Sequence, residues 1–263
     1  MGRISVTSVT KQFQTGDSYV TALDDVTFAA EEKQIVTLVG ASGCGKSTLL
    51  NLIAGFEMPT AGQVLVDGRS VKGPGPDRGV VFQQTALFPW LSVEDNIAFG
   101  LTLRANKGKS DREKIVERML QRTGLLAFRK RRPAELSGGM RQRAAIASVL
   151  AINPSTLLMD EPFGALDSLT RSIMQDFLLE IWEEQRKTVV LVTHDIDEAI
   201  YLADKTVVMT AHPGRICEVI DVDLPRPRRY EMRSEGAFIG LRDHVTEIVR
   251  TEALRGSPVS AVA

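Results

Sequence analysis

Eight consecutive residues constrain this chain more than any others: Gly40-Ala41-Ser42-Gly43-Cys44-Gly45-Lys46-Ser47. They fit the pattern G-x-x-x-x-G-K-[S/T], and they stand in the context that pattern needs. Before them, Gln34 to Val39 is an apolar run of strand length. After them, Leu49, Leu52, Ile53 and Phe56 recur at helical spacing. Glycines let the backbone curl round a phosphate with its N–H groups turned inward, and the following helix aims its positive end at the same point. Gly40, Ala41, Ser42, Gly43, Cys44 and Gly45 would form the cradle, with Lys46 on the outer phosphates. Ser47 would ligate Mg²⁺, and Thr48 would donate to an inner phosphate. An ordinary glycine turn has no need of the strand and the helix. By itself the loop specifies a nucleotide phosphate and nothing further.

Two other strand ends carry chemistry of the same kind. Leu157-Leu158-Met159 runs into Asp160 and Glu161, an acidic pair that upstream phosphate binding makes functional. Asp160 would hold Mg²⁺ through water, and Glu161 would polarise the attacking water. Thr188 to Thr193 is a further strand, and His194 at its end is placed to contact the γ-phosphate and that water. A GTPase would add an Asn-Lys-x-Asp base reader, but Asn106-Lys107-Gly108-Lys109 lacks the acid. A small-molecule kinase would not need a second anion site, yet one exists. Ser137-Gly138-Gly139 opens a helix after Leu136, and two glycines and a serine at a helix start bind anions. One nucleotide cannot easily use both sites of one subunit. A head-to-tail dimer can, with each nucleotide between the Lys46 loop of one copy and Ser137 to Gly139 of the other.

The rest of the chain reads as one α/β unit with a helical insertion. Ile4 to Val9 and Ala22 to Ala30 are strand-like, with a turn at Gly16-Asp17. Gln63 to Val66, Gly79 to Phe82 and Thr206 to Met209 are further strands, and Gly73-Pro74-Gly75-Pro76 is a turn-rich connector. From Ser92 to about Leu150 the texture is helical and charged, and Asp111 to Gly124 is amphipathic. Thr170 to Gln185 is predicted helical, Pro225 to Arg229 a linker, Gly240 to Leu254 a last helix, and Gly256 to Ala263 frayed. Lys and Arg total 32 against 33 Asp and Glu, a balance that argues against dedicated nucleic-acid binding. No apolar run approaches the roughly 18–20 residues of a spanning helix. The N-terminus has no apolar signal core and fails the myristoylation pattern at Val6. A membrane role would therefore come through a partner. Cys44 and Cys217 cannot build a disulfide framework or a four-ligand zinc site. Cys44 sits near a helix N-terminus, where a thiol pKa can fall, so a thiol reagent is expected to inhibit and the bound nucleotide to protect. Cys217, His212 and His244 are expected to have no special role, and Arg129 to Arg132 to be a solvated face.

In this order the motifs resemble those of ATP-binding-cassette (ABC) ATPases, over nearly the whole chain. Gly40 to Ser47 is similar to the family's Walker A, Leu157 to Glu161 to its Walker B, and Leu136 to Gly139 to its signature. Gln83, after Val80-Val81-Phe82, occupies the Q-loop position, where the resemblance implies a metal and water contact. Ala165-Leu166-Asp167 matches the D-loop and His194 the switch histidine. Phe13 falls where an aromatic stacks on adenine, with Tyr19 as the alternative. Met140 departs from the signature's usual Gln and cannot make the amide's hydrogen bonds, which implies weaker contacts across the dimer.

The implied fold is a P-loop NTPase (RecA-like) core with an antiparallel β subdomain and an inserted α-helical subdomain. The core would take residues 1–91 and 154–225, the insertion 92–153, and a C-terminal tail and helix 226–263. The implied cofactors are ATP and Mg²⁺. The implied partners are transmembrane permease subunits, a periplasmic or extracellular solute-binding protein and a second copy of the chain, at the cytoplasmic face of the membrane. Phe88-Pro89-Trp90 would belong to the groove that receives a permease helix. Cassettes acting on ribosomes or DNA usually carry two cassettes or a long coiled coil, and an exporter motor is the other alternative. Gly73 to Gln83, Leu87 to Trp90, Val93 to Asn96 and His212-Pro213-Gly214-Arg215 resemble the nitrate/sulfonate/taurine importer cassettes. Taurine or another aliphatic sulfonate is the first expectation; nitrate, bicarbonate and pyrimidine vitamin precursors are the alternatives.

Overall fold

A computed structural model describes residues 1–103 and 109–255. The expectations placed on Asn106 to Gly108 and on Gly256 to Ala263 fall outside the described residues. The chain opens with a hairpin, β1 (Ile4–Thr15) and β2 (Ser18–Ala30), turning at Gly16 as predicted. Both strands run further toward the turn than their apolar pattern suggested, because those arms are polar and exposed and carry no alternation. With β4 (Ala61–Val66) and β5 (Arg69–Ser70) they form a four-stranded antiparallel sheet, ordered β2-β1-β4-β5.

The second sheet holds β3 (Ile35–Gly40), β6 (Arg78–Val81), β7 (Thr156–Asp160), β8 (Thr188–Val192), β9 (Lys205–Met209) and β10 (Ile216–Asp221). Its order is β10-β9-β3-β8-β7-β6. Every pairing is parallel except that of the edge strand β10 with β9. Parallel strands need crossovers, which cover both faces and bury both sides of each strand. All six residues of β3 and all five of β8 are accordingly buried. Alternate residues serve two cores. Ile35, Val39, Leu157, Met159, Val189 and Leu191 face one, with helices α2 (Val93–Thr102), α4 (Gly138–Ala151) and α5 (Ser168–Gln185). Val36, Leu38, Leu158, Val190 and Val192 face the other, with α1 (Lys46–Ala54) and the antiparallel sheet.

Residues 92–153 contain α2, α3 (Lys109–Arg122) and α4 and no strand among the described residues. The basic run there is largely exposed, as expected of a solvated face, and it is also ion-paired. Arg129 and Lys130 both bind Glu94 on α2, and Arg131 pairs with Glu135. Burial of Glu94 favours its neutral form, but those two cations outweigh it and hold its carboxyl below the usual range. Two more helices, α6 (Ile196–Leu202) and α7 (Gly236–Arg255), close the chain. The segment read as a linker is pinned to the end of α6. Arg226 Nε donates to Asp204 Oδ1 at 2.8 Å, and the buried Arg228 donates to the Ala203 carbonyl at 2.7 Å. Burial lowers the Arg228 pKa to about 10.

Candidate functional site

Because β3, β6, β7 and β8 run parallel, their carboxyl ends lie along one edge of the sheet, where open α/β sheets hold ligands. That edge bears the phosphate loop after β3, Gln83 beyond β6, Asp160 and Glu161 at the end of β7, and His194 beyond β8. Here a cavity of about 700 Å³ is lined by Ser42, Gly43, Gly45 to Thr48, Gln83, Glu161 and His194.

Inside the loop, Lys46 Nζ donates to the carbonyls of Gly40 and Ala41, each at 2.9 Å, which staples the loop's curve through the chain itself. Gly43 and Gly45 have φ of +78° and +92°, the left-handed region where a side chain is strained. Cys44 is buried beneath them, its Sγ 3.5 Å from Lys46 Nζ. Gly45 precedes α1 without any side-chain cap, so the first turn leaves its N–H groups for a ligand.

At the end of the loop, Ser47 Oγ donates to Asp160 Oδ1 at 3.1 Å. Burial pushes the Asp160 carboxyl up, as does the neighbouring Glu161, while the Ser47 bond and Lys46 oppose the shift. A cation would relieve that burial. The hydroxyl of Ser47, the carboxylate of Asp160 and the amide oxygen of Gln83 are hard oxygen donors of the type Mg²⁺ selects. The Glu161 carboxylate is held from both sides. Its Oε2 accepts from Gln83 Nε2 at 3.0 Å, and its Oε1 lies 3.2 Å from His194 Nδ1. Its backbone turns into the left-handed region, φ +45°, secured by its N–H on the Val192 carbonyl at 2.9 Å. Non-glycine residues in that region cost about 1–3 kcal/mol and cluster at functional sites.

The structure brings together the loop, Gln83, Asp160, Glu161 and His194. It does not bring Phe13, Ser137, Gly138, Gly139 or Asp167 into the lining of this cavity. Phe13, 37% exposed as a residue, sits on the hairpin opposite Val20, with the Lys11 ammonium 4.8 Å from the ring centre. Tyr19 pairs with Gln14, one position on, and so projects from the other face of the hairpin. Ser137 caps α4 by accepting from Met140 N–H at 3.2 Å, and Asp167 caps α5 by accepting from Thr170 N–H at 3.0 Å. Ser137, Gly138 and Asp167 are exposed, and Gly139 packs against Leu166, so signature and D-loop form one surface. Met140 turns inward, half-buried against the first core.

Two residues that line the cavity were not expected there, Ala22 and His212. His212 follows β9, the strand beside β3, so the signal that singled out His194 (a histidine past a strand's carboxyl end) applied to it as well. Its loop is wedged in place. Gly214 exchanges backbone hydrogen bonds with Ala22 and Asp24, each 3.0 Å, and a Cβ on Gly214 would lie 2.1 Å from the Cys44 carbonyl oxygen.

The family profile described as ABC transporter matches residues 23–164, more than half of the chain. The chain belongs to the ABC transporter family. An uncharacterised ABC transporter ATP-binding protein of Methanocaldococcus jannaschii, MJ0412, is 47% identical to this cassette over 253 residues, 96% of this chain and 93% of that one. The nitrate import ATP-binding protein NrtD of Synechococcus elongatus is 47% identical over 225 residues, 85% of this chain and 82% of that one. The solved cassette MJ0796, a dimer in a post-hydrolysis state with ADP and Pi, matches with a TM-score of 0.77 at 33% identity. That match covers 84% of this chain and all of that one. The cassette is thus an ATPase with the P-loop NTPase fold, working on ATP with Mg²⁺. No described helix is long and apolar enough to cross a membrane.

Proposed function

We propose that this cassette is the motor of an importer for a small anion, nitrate first, working as a two-copy ATP sandwich beneath separate permease subunits. The observation that carries the motor is the carboxylate of Glu161, gripped by Gln83 and His194 across the cavity from the Lys46 loop. Lys46 and the loop N–H groups bind the phosphates. Glu161, aligned by its two neighbours, orients the attacking water and accepts its proton, and His194 donates toward the γ-phosphate. Mg²⁺, held by Ser47, Asp160 and Gln83, would neutralise charge on the phosphate oxygens.

The second site supports the sandwich. Ser137 to Gly139 and Asp167 make a surface outside the cavity of their own chain, which suits them to the nucleotide of a second copy. Phe13 would stack on adenine. ATP shifts the equilibrium to the closed pair because only that state makes the contacts across the interface. Reopening follows hydrolysis. The motion would reach the permease through Gln83 and the aromatic cluster beyond it. The ring of Phe88 meets those of Phe99 and Trp90 at a tilt, with centres 4.4 and 5.5 Å away, and Trp90 is 68% exposed. The cassette would sit at the cytoplasmic face of the membrane with a solute-binding protein on the far side and no nucleic acid as partner.

The solute is recognised by the permease and the binding protein. Similarity to the nitrate import ATP-binding protein NrtD favours nitrate over a sulfonate. The test is growth of a strain lacking the gene on nitrate as sole nitrogen source, with ammonium as control, and on taurine as sole sulfur source, with sulfate as control. Failure on nitrate alone supports the proposal. Failure on taurine alone restores the sulfonate reading, and normal growth on all four overturns both.

A further inference from the structure

Arg171 lies on α5, four residues past Asp167, and its guanidinium is shared between two loops. Nη1 donates to Asp195 Oδ2 at 3.1 Å, and Nη2 donates to the backbone carbonyl of Leu166 at 3.3 Å. Leu166 precedes Asp167 directly, and Asp195 follows His194 directly. One planar group therefore joins the surface loop that carries Asp167 to the segment that carries the histidine on Glu161. On the loop side, Leu166 also lies under Gly139, where an added Cβ would come within 3.2 Å of its side chain. On the histidine side, Asp195 is fully engaged. Its Oδ1 accepts from Glu198 N–H at 3.0 Å, and its own N–H donates to Thr193 Oγ1 at 3.0 Å.

Stability does not account for this arrangement. Both side chains of the ion pair are about a third exposed, 32% and 33%, and pairs of that kind contribute roughly 0–1 kcal/mol. What a guanidinium adds is direction. It holds a carboxylate and a carbonyl at once in one plane, which the single ammonium of a lysine does not.

We propose that Arg171 is a positioning residue for hydrolysis, which carries a displacement of the Leu166–Asp167 loop, made when a second copy docks on it, to His194. This rests on the two-copy sandwich proposed above. A nucleotide held by the signature surface of one chain thereby bears on that chain's own hydrolytic centre.

The test uses the full chain and compares wild type with Arg171→Ala, Arg171→Lys, Asp195→Asn and the Arg171→Ala/Asp195→Asn double variant. Asn caps helices as well as Asp, so Asp195→Asn removes the charge pair and keeps the start of α6. Arg171→Ala is expected to lower kcat about tenfold while the Kd for a fluorescent ATP analogue stays within about twofold. Asp195→Asn should lose a similar factor, the double variant no more than the worse single, and Arg171→Lys should stay impaired. A kcat for Arg171→Ala within about twofold of wild type overturns the proposal, as do single losses that multiply in the double variant. So does a loss that vanishes once activity is expressed per folded molecule, judged by thermal melting. Glu161→Gln separates the two readings. If it remains a monomer with ATP, the sandwich fails and this inference with it. If it dimerises while Arg171→Ala turns over normally, only this inference fails.

Discussion

In the proposed mechanism, turnover depends most directly on the carboxylate of Glu161. Glu161→Gln keeps the shape and the hydrogen bonding to Gln83 but cannot accept a proton. It is expected to bind ATP normally, to lower kcat by roughly 10²–10⁴ and to accumulate as a closed dimer on size-exclusion chromatography. Lys46→Ala removes the outer-phosphate cation and also the two carbonyl bonds that hold the loop's curve. Loss of binding to immobilised ATP is expected, and normal ATPase activity would contradict the role given to the loop. Gly214→Ala probes the wedge behind it, since the new methyl would meet the Cys44 backbone oxygen. Overpacking of that sort costs about 1–3 kcal/mol, to be read as a lower Tm together with weaker ATP binding. Cys44 now looks less reactive than its place in the loop suggested, because it is buried, while Cys217 is exposed. Partial desolvation by its neighbours, together with the charges of Glu252 and Glu218, pushes the Cys217 thiol up. A thiol reagent is therefore expected to label Cys217 first, at alkaline pH and without loss of ATPase activity, as peptide mass mapping would show.

Among the elements, α6 holds a carboxylate that makes stability depend on pH. Glu198 is buried, accepts from Gln175 Nε2 at 2.8 Å, and has its pKa raised to about 7, chiefly by burial. In the unfolded chain the same group titrates near 4.5. Between those values the folded state keeps a proton that the unfolded state has lost, so this group's contribution to stability falls as pH rises from about 4.5 to about 7, then levels off. Glu198→Gln should abolish that part of the dependence, raising stability at pH 8 by about 3 kcal/mol relative to wild type and leaving it unchanged at pH 4. Urea titrations at the two pH values measure it. The sequence did not announce α6, because seven residues give under two turns of apolar period. Strand β10 was hidden for a different reason: at an edge, Ile216 to Asp221 alternates between half-exposed and exposed positions and only Ile220 is buried. The strands that end in motifs were plain, since burial on both faces demands unbroken apolar runs. The positions of the motif residues at their ends were legible for the same reason. What spacing could not convey was the link between Arg171 and Asp195, which lie on different elements.

At the scale of the whole molecule, the site is an edge assembled from distant parts of the chain. Val36 pairs with Val190 on one side and Lys205 on the other, whereas the residues adjoining β3 in sequence belong to the other sheet or to α1. This has a consequence for synthesis. When the phosphate loop leaves the ribosome, its strand has no neighbour in its own sheet, and none exists until β8 emerges about 150 residues later. At translation rates of about 5–20 residues per second, that delay is on the order of ten seconds. A nascent chain stalled before Thr188 would carry an intact nucleotide motif and no nucleotide site, its apolar β3 open to other strands or to a chaperone.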